Sequence, residues 1–127
     1  MTAKTAIVVF ADPGNGSDED ALGRVFNALL MASRLKERGQ EVAVIFQGTG
    51  VRWATALVKP DHPAHKFFKA VEDKVVGMCA GCANAFGATE DVKSAGLPLV
   101  QQMDVPGTPG FIDLSQYVED GYQIVTF

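Results

Sequence analysis

The two cysteines of the chain lie close together, in the segment Cys79-Ala80-Gly81-Cys82. A thiol reacts as a nucleophile in its thiolate form, and the free backbone N–H groups at a helix N-terminus favour that anion. Cys79 follows a strand-like apolar segment, and we expect a helix to begin at Gly81 or Cys82 and to run through Phe86. The sulfur of Cys79 would then face those N–H groups, so we expect Cys79 to be the more reactive thiol.

Small residues surround the two thiols. Ala80, Gly81 and Ala83 predict a narrow slot that a small sulfur compound or the tail of another protein could enter. A free cysteine is also often a small buried apolar residue, and that interpretation stays open here. A position at the end of a predicted parallel strand, inside a glycine-containing turn, favours a reactive role.

The thiols were also considered as metal ligands. A closed zinc site takes four protein ligands, and the chain has 2 cysteines and 2 histidines, His62 and His65. A Cys2His2 set would therefore need all of them. Both histidines precede the strand that carries Cys79 and lie beside a proline, where a loop histidine is more often simply solvated, so no metal is expected.

A glycine-containing turn, Gly14-Asn15-Gly16, follows the first predicted strand. It lacks the dinucleotide-binding fingerprint and the Lys-Ser/Thr ending of a phosphate loop. Asp18, Glu19 and Asp20 come next and would repel a phosphate, whereas they suit the first turn of a helix capped at Ser17. We therefore expect no cofactor.

Composition limits the classes of partner. The chain has 127 residues, with 11 Lys and Arg against 15 Asp and Glu and a formal net charge of −4, which does not suit nucleic acid. No apolar run approaches the length of about 20 residues that spans a bilayer, and the N-terminal residues lack the layout of a secretory signal. We expect one domain over residues 1–127, located in the cytoplasm, with neither nucleic acid nor a membrane as partner.

Strand-like and helical patterns alternate along the chain. Continuous apolar, β-branched segments predict buried strands, and apolar residues at helical spacing predict helices. The predicted strands are Ala6–Ala11, Glu41–Phe46, Lys74–Cys79, Leu97–Gln101 and Tyr122–Phe127. The predicted helices are Asp18–Arg38, Val51–Val58, Ala64–Asp73, Thr89–Ser94 and Phe111–Glu119. This alternation predicts an α/β fold, a three-layer α/β/α sandwich around a five-stranded, mainly parallel sheet.

Sites in such sheets lie at the carboxyl ends of the strands. Three segments are expected to meet there, namely Asp12–Ser17, Gln47–Arg52 and Cys79–Phe86. The expected pocket residues beside the thiols are Gly14, Asn15, Gly48, Gly81 and Asn84.

The whole pattern resembles the DsrE/DsrF-like family of small α/β/α proteins. The resemblance lies in the opening strand with its polar Gly/Pro turn, the long helix around Ala21 to Leu35, the strand Glu41–Phe46 followed by Gly48, and the spacing of Cys79 and Gly87. It implies that Cys79 carries a sulfane sulfur as a persulfide, received from a donor protein and passed to an acceptor. It also implies assembly as a homotrimer or homohexamer, which the apolar residues of the first helix and of residues 51–71 would suit.

Two features depart from the sulfur-relay members of that family. A second thiol, Cys82, stands where those members tend to have a small residue, and Ala85-Phe86 precedes the glycine where basic residues are frequent. Three hypotheses therefore remain. The protein is a sulfur carrier or sulfurtransferase acting through Cys79, a thiol-disulfide redox or sensor protein using both cysteines, or a non-catalytic ligand-binding homo-oligomer.

Overall fold

A computed structural model describes residues 2–14 and 18–127 of the chain. The five strands are β1 Lys4–Val9, β2 Glu41–Phe46, β3 Val75–Cys79, β4 Leu99–Val100 and β5 Gln123–Thr126. The bounds predicted for β2 are those observed, and β3 begins one residue later than predicted. β4 has only 2 residues, because the chain leaves the sheet after Val100 to form an extended segment that is described below.

The sheet is parallel at every strand pairing, with the order β4-β3-β2-β1-β5. The first four strands are added one after another toward one edge, and the chain then crosses back to pair β5 with β1. The sheet that was predicted to be mainly parallel is therefore entirely parallel, and the predicted α/β/α sandwich is confirmed.

Both faces of the two central strands are buried. In β1 the consecutive residues Ala6, Ile7, Val8 and Val9 are fully buried, although successive side chains point to opposite faces of a sheet. β2 repeats this pattern from Val42 onward. Strands buried on both faces need a layer on each side, which explains why these segments are continuously apolar instead of alternating.

The helices are α1 Glu19–Glu37, α2 Ala54–Leu57, α3 His65–Val71, α4 Ala80–Ala85, α5 Thr89–Ser94 and α6 Leu114–Glu119. The α1 N-cap is Asp18, whose Oδ1 accepts a hydrogen bond of 3.0 Å from the Ala21 N–H. The capping role predicted for Ser17 lies outside the described residues. Within residues 2–14 and 18–127, no helix is long and apolar enough to cross a membrane.

The long helix α1 packs against β1, β2 and α3. Its residues Val25 and Leu29 are fully buried, and the Phe26 ring lies 4.8 Å from the ring of Phe67 on α3. Leu30 is the large apolar residue of α1 that stays exposed. The fold of one chain therefore buries most of the apolar residues of α1 fully or in part.

β3 contains an irregularity just before Cys79. Val44 pairs with Val75 and Ile45 with Gly77, so β3 has one extra residue against β2. Gly77 has a φ of 144°, and a Cβ there would approach the Val100 Cγ2 atom to 2.6 Å. A glycine is needed at this position because β4 passes so close to it.

Two predicted segments have different conformations. Gly48–Trp53, predicted to begin as a loop, forms a 3-10 helix. The helix predicted over Phe111–Glu119 begins only at Leu114, because Asp113 caps it by accepting a 3.0 Å hydrogen bond from the Ser115 N–H. Phe111 is instead paired with Met103 in an antiparallel bridge.

Candidate functional site

Cys79 lies at the junction of a strand and a helix. It is the last residue of β3 and the N-cap residue of α4, which begins at Ala80, before both of the predicted starts, Gly81 and Cys82. Both cysteines are free thiols, and their exposed fractions are 0% for Cys79 and 5% for Cys82. The predicted position of Cys79 at the carboxyl edge of the sheet is therefore observed, and its sulfur is closed off from solvent.

The environment of Cys79 stabilises its thiolate. A hydrogen bond from the Cys82 thiol is the largest cause that lowers the pKa of Cys79, and the net result is a pKa of about 6. Burial opposes this by raising the pKa, whereas hydrogen bonds from the backbone N–H groups of Ile112, Cys82 and Gly81 lower it further. Two of these three N–H groups belong to the first turn of α4, as expected for a thiol at a helix N-terminus.

Cys82 is shifted in the opposite direction. Its hydrogen bond to Cys79 and its burial both raise the pKa of Cys82 far above the usual range, while the backbone N–H of Gly48 lowers it. The two shifts have opposite directions and the same cause, the hydrogen bond between the thiols. They favour the form of the pair in which Cys79 is the thiolate and Cys82 keeps its proton.

Residues 101–113, which we call the cover segment, lie over the two thiols. The Gly81 N–H donates a 2.7 Å hydrogen bond to the Gly110 carbonyl. The Phe111 ring packs on Gly81 so closely that a Cβ at residue 81 would overlap it. Ile112, which is fully buried, directs its N–H to the Cys79 sulfur.

The cover segment is held together by its own hydrogen bonds. Met103 and Phe111 exchange two backbone hydrogen bonds of 3.0 and 3.1 Å. The Thr108 hydroxyl accepts from the Gly110 N–H at 3.1 Å, and the Gln102 Oε1 atom accepts from the Asp113 N–H at 3.0 Å. The segment is therefore a folded element, with a turn at Pro106-Gly107 and a bend at Thr108-Pro109.

The open slot predicted beside Ala80, Gly81 and Ala83 is occupied. The prediction was wrong because Phe111, distant in sequence, fills the space that the absent side chain of Gly81 leaves. Gly81, which was expected to leave space for a ligand, instead leaves space for the Phe111 ring.

The other expected pocket residues are dispersed. Gly48 is the residue whose N–H faces the Cys82 sulfur, whereas Asn84 is exposed on α4. Gly14 lines a separate cavity of about 380 Å³ with Arg52, Phe86 and neighbouring residues. Asn15 lies outside the described residues.

The three segments expected to meet at the carboxyl edge do so through Arg52. Its guanidinium forms a 2.7 Å ion pair with Asp12 and donates a 3.4 Å hydrogen bond to the carbonyl of Phe86. The same guanidinium lies 5.7 Å from the centre of the Phe86 ring. Arg52 therefore joins the segments that follow β1, β2 and β3.

The histidines have local roles. The His62 Nδ1 atom accepts a 3.1 Å hydrogen bond from the Ala64 N–H, and the His65 Nδ1 atom lies 2.7 Å from the Leu57 carbonyl. In the described part of the chain, no three His, Cys, Asp or Glu residues are grouped so that they could hold a metal ion. The Cys2His2 set considered from the sequence is not assembled.

Sequence reasoning missed the contribution of the cover segment, and with it Phe111 and Ile112, whereas Gln47 lies in a segment that was expected at this edge of the sheet. The available signal was the pair of turn sequences Pro106-Gly107 and Pro109-Gly110 after β4. These turns indicated a long irregular connection, yet nothing local to them indicated which part of the molecule the connection covers.

The chain is thus a small α/β protein with an all-parallel sheet and two buried thiols at a strand-helix junction. The model of the DsrE/DsrF-like family matches residues 4–127, and the chain belongs to that family. It is 35% identical over 101 residues to an uncharacterized protein of Methanocaldococcus jannaschii, covering 80% of this chain and 78% of that protein. No solved structure matches the chain.

Proposed function

We propose that the protein carries sulfane sulfur as a persulfide on Cys79, in a sulfur-relay role suggested by its family. The observation that carries this proposal is the position of the Cys79 thiol between the first turn of α4 and the N–H of Ile112, where its pKa is lowered to about 6. A thiolate at a strand-helix junction is a suitable nucleophile toward sulfur. Membership of the family supports the same role.

Loading proceeds by nucleophilic attack on the outer sulfur of a donor persulfide. A bond forms between the Cys79 sulfur and that outer sulfur, the sulfur–sulfur bond of the donor breaks, and the donor leaves as a thiolate. An acceptor thiolate then attacks the outer sulfur on Cys79 in the same way, which releases Cys79 as a thiolate again. The N–H groups of Gly81, Cys82 and Ile112 stabilise the anion at the start and at the end.

Access to Cys79 requires the cover segment to move, since the thiol has no exposed surface. The contacts that would have to separate are the Gly81–Gly110 hydrogen bond and the packing of Phe111 on Gly81. We propose that a sulfur donor or acceptor protein displaces this segment when it binds. A reaction partner is thereby selected by its ability to open the site.

A second candidate function is thiol-disulfide chemistry, and the hydrogen bond between the Cys82 and Cys79 thiols favours it. A deprotonated Cys82 could attack the inner sulfur of the Cys79 persulfide, form a Cys79–Cys82 disulfide and release hydrosulfide. A two-electron reductant of the dithiol class would then restore both thiols. The raised pKa of Cys82 opposes this step, so we rank it second.

The assembly and the location remain proposals. We propose a homo-oligomer, trimeric or hexameric, working in a cytoplasm that keeps both thiols reduced. Exposed apolar side chains that could contact other subunits are Phe10, Leu30, Phe86, Met103 and Val118.

Mass spectrometry of the intact protein after incubation with a persulfide donor tests the proposal. A gain of one sulfur mass that is absent from Cys79→Ser and present in Cys82→Ser supports the carrier. A loss of two hydrogen masses without a gain of sulfur supports the dithiol function. An unchanged mass under denaturing and native incubation alike contradicts both and leaves a non-catalytic binding role.

A further inference from the structure

Gln47 lies beside Cys79 at the carboxyl edge of the sheet. The last pair between β2 and β3 joins Phe46 and Met78, and Gln47 and Cys79 are the next residues of the two strands. The exposed fraction of Gln47 is 8%, so a polar amide side chain is buried next to the thiol pair. Buried amides normally have hydrogen-bond partners for all of their polar atoms.

The side chain of Gln47 is only partly satisfied. Its Nε2 atom donates a hydrogen bond of 3.4 Å to the carbonyl of Ile112, which fixes the orientation of the amide. Its Oε1 atom is buried and has no hydrogen-bond partner among the described residues. An apolar side chain of similar length would avoid this unfavourable burial, so the stability of the fold does not account for an amide here.

Ile112 connects the amide to the thiol. Its carbonyl accepts from Gln47, and its N–H donates to the Cys79 sulfur. Within the cover segment, the Phe111 carbonyl accepts from the Met103 N–H and the Asp113 N–H donates to Gln102, so the residues on both sides of Ile112 are held together. The hydrogen bond from Gln47 ties this part of the cover segment to the end of β2, beside the thiol that the Ile112 N–H contacts.

We infer that Gln47 is a positioning residue for Cys79, which it serves by holding Ile112 so that the Ile112 N–H meets the sulfur. The inference rests on the proposed function, because it concerns the thiol assigned there, and it adds a specific residue to that site. Among the described residues, the titratable group that acts on Cys79 is Cys82, and the other contributions are backbone N–H groups and burial. A change at Gln47 therefore alters no charge near the thiol.

The test uses Gln47→Met in a Cys82→Ser background, in which Cys79 is the only cysteine and the serine hydroxyl can still donate to it. Two quantities are measured, the pH midpoint of iodoacetamide alkylation and the midpoint of thermal unfolding. We expect the pH midpoint to rise by about 0.5 to 1 unit, because the thiolate loses a well-placed donor. We expect the melting temperature to stay equal or to rise, because a buried acceptor without a partner is removed.

Gln116→Met is the matched control, since Gln116 is exposed on α6 and bonds to Asp120, away from the thiols. Gln47→Leu is measured alongside and is expected to behave as Gln47→Met does. An unchanged pH midpoint in the Gln47 variants overturns the inference. A raised midpoint accompanied by a lower melting temperature also overturns it, since general loosening would explain both. Neither measurement uses a persulfide, so a failure of sulfur loading would count against the proposed function alone.

Discussion

The ring of Phe111 occupies the space beside Gly81 where any other residue would place its Cβ. The same two segments are joined by the hydrogen bond from the Gly81 N–H to the Gly110 carbonyl. Gly81 is thus the residue of the Cys79-Ala80-Gly81-Cys82 segment against which the cover segment packs. Its role in this structure is to let a ring approach the start of α4.

Gly81→Ala is expected to displace Phe111 and to expose Cys79. The added methyl group overlaps the ring, and overpacking of this kind costs about 1 to 3 kcal/mol of stability. We expect alkylation of Cys79 by iodoacetamide at pH 7 to become several-fold faster. The measurement is the alkylation rate in a Cys82→Ser background, together with the free energy of unfolding in urea.

Gly23→Ala provides the control for that substitution. Gly23 is an exposed helical residue with open space around its Cβ position, so alanine there should stabilise α1 by about 0.5 to 1 kcal/mol and leave the alkylation rate unchanged. Equal alkylation rates in Gly81→Ala and the parent protein would show that Phe111 does not limit access.

Cys82→Ala is expected to raise the pKa of Cys79. The substitution removes the thiol that donates to Cys79, and a hydrogen bond to a charged group contributes about 1.5 to 3 kcal/mol, which corresponds to about 1 to 2 pH units. The measurement is the pH midpoint of iodoacetamide alkylation, which should lie near 6 in the unsubstituted protein.

Cys82→Ser is the matched variant for this comparison, because its hydroxyl can donate from nearly the same place. Its pH midpoint should stay closer to that of the unsubstituted protein than the midpoint of Cys82→Ala does.

The protein that retains only Cys82 should react more slowly with iodoacetamide at neutral pH than the protein that retains only Cys79. The reverse order of rates would contradict the assignment of Cys79 as the nucleophile.

Stability is expected to depend on pH through both thiols, with opposite signs. The folded-state pKa of Cys79 is depressed to about 6, below the unfolded value of about 8.5. Its contribution to the free energy of unfolding is therefore fully present above about pH 8.5 and is lost as the pH falls through about 6. The folded-state pKa of Cys82 is raised, so its contribution is lost as the pH rises above that unfolded value. Stability should therefore increase from pH 6 to about 8.5 and decline above it, with slopes of at most about 1.4 kcal/mol per unit.

Urea unfolding between pH 5.5 and about 10 measures this dependence, as the difference between the unsubstituted protein and the Cys79→Ser, Cys82→Ser double variant. The subtraction removes the contributions of the other titratable groups. A difference that stays flat across this range would mean that neither thiol is perturbed by folding.

The sequence predicted the elements whose signals are local. β2 and the position of Cys79 followed from continuous apolar segments, and α1 followed from apolar spacing over many turns. The sequence predicted a helix over Phe111–Glu119, whereas Phe111 and Ile112 precede the helix that begins at Leu114. Their real environment is set by contacts with Gly81 and Cys79, and no local pattern reports contacts between distant segments.

Gln47 illustrates a second kind of limit. Its sequence position after a buried strand indicated a loop residue, and a glutamine in a loop is ordinarily solvated. Its burial results from the cover segment, which was itself not foreseen. Because the contact between the cover segment and the thiols was not predicted, Ile112 and Phe111 were absent from the predicted site, and Gln47 was placed at the right edge of the sheet without its burial.

The burial of Cys79 has a further consequence for the lifetime of the thiol. A thiolate is the form that peroxides oxidise, first to sulfenic acid and then irreversibly to sulfinic and sulfonic acids. Phe111 and Ile112 separate this thiolate from dissolved oxidants as effectively as they separate it from reaction partners. The cover segment therefore also shields the cysteine from irreversible oxidation for as long as it stays closed.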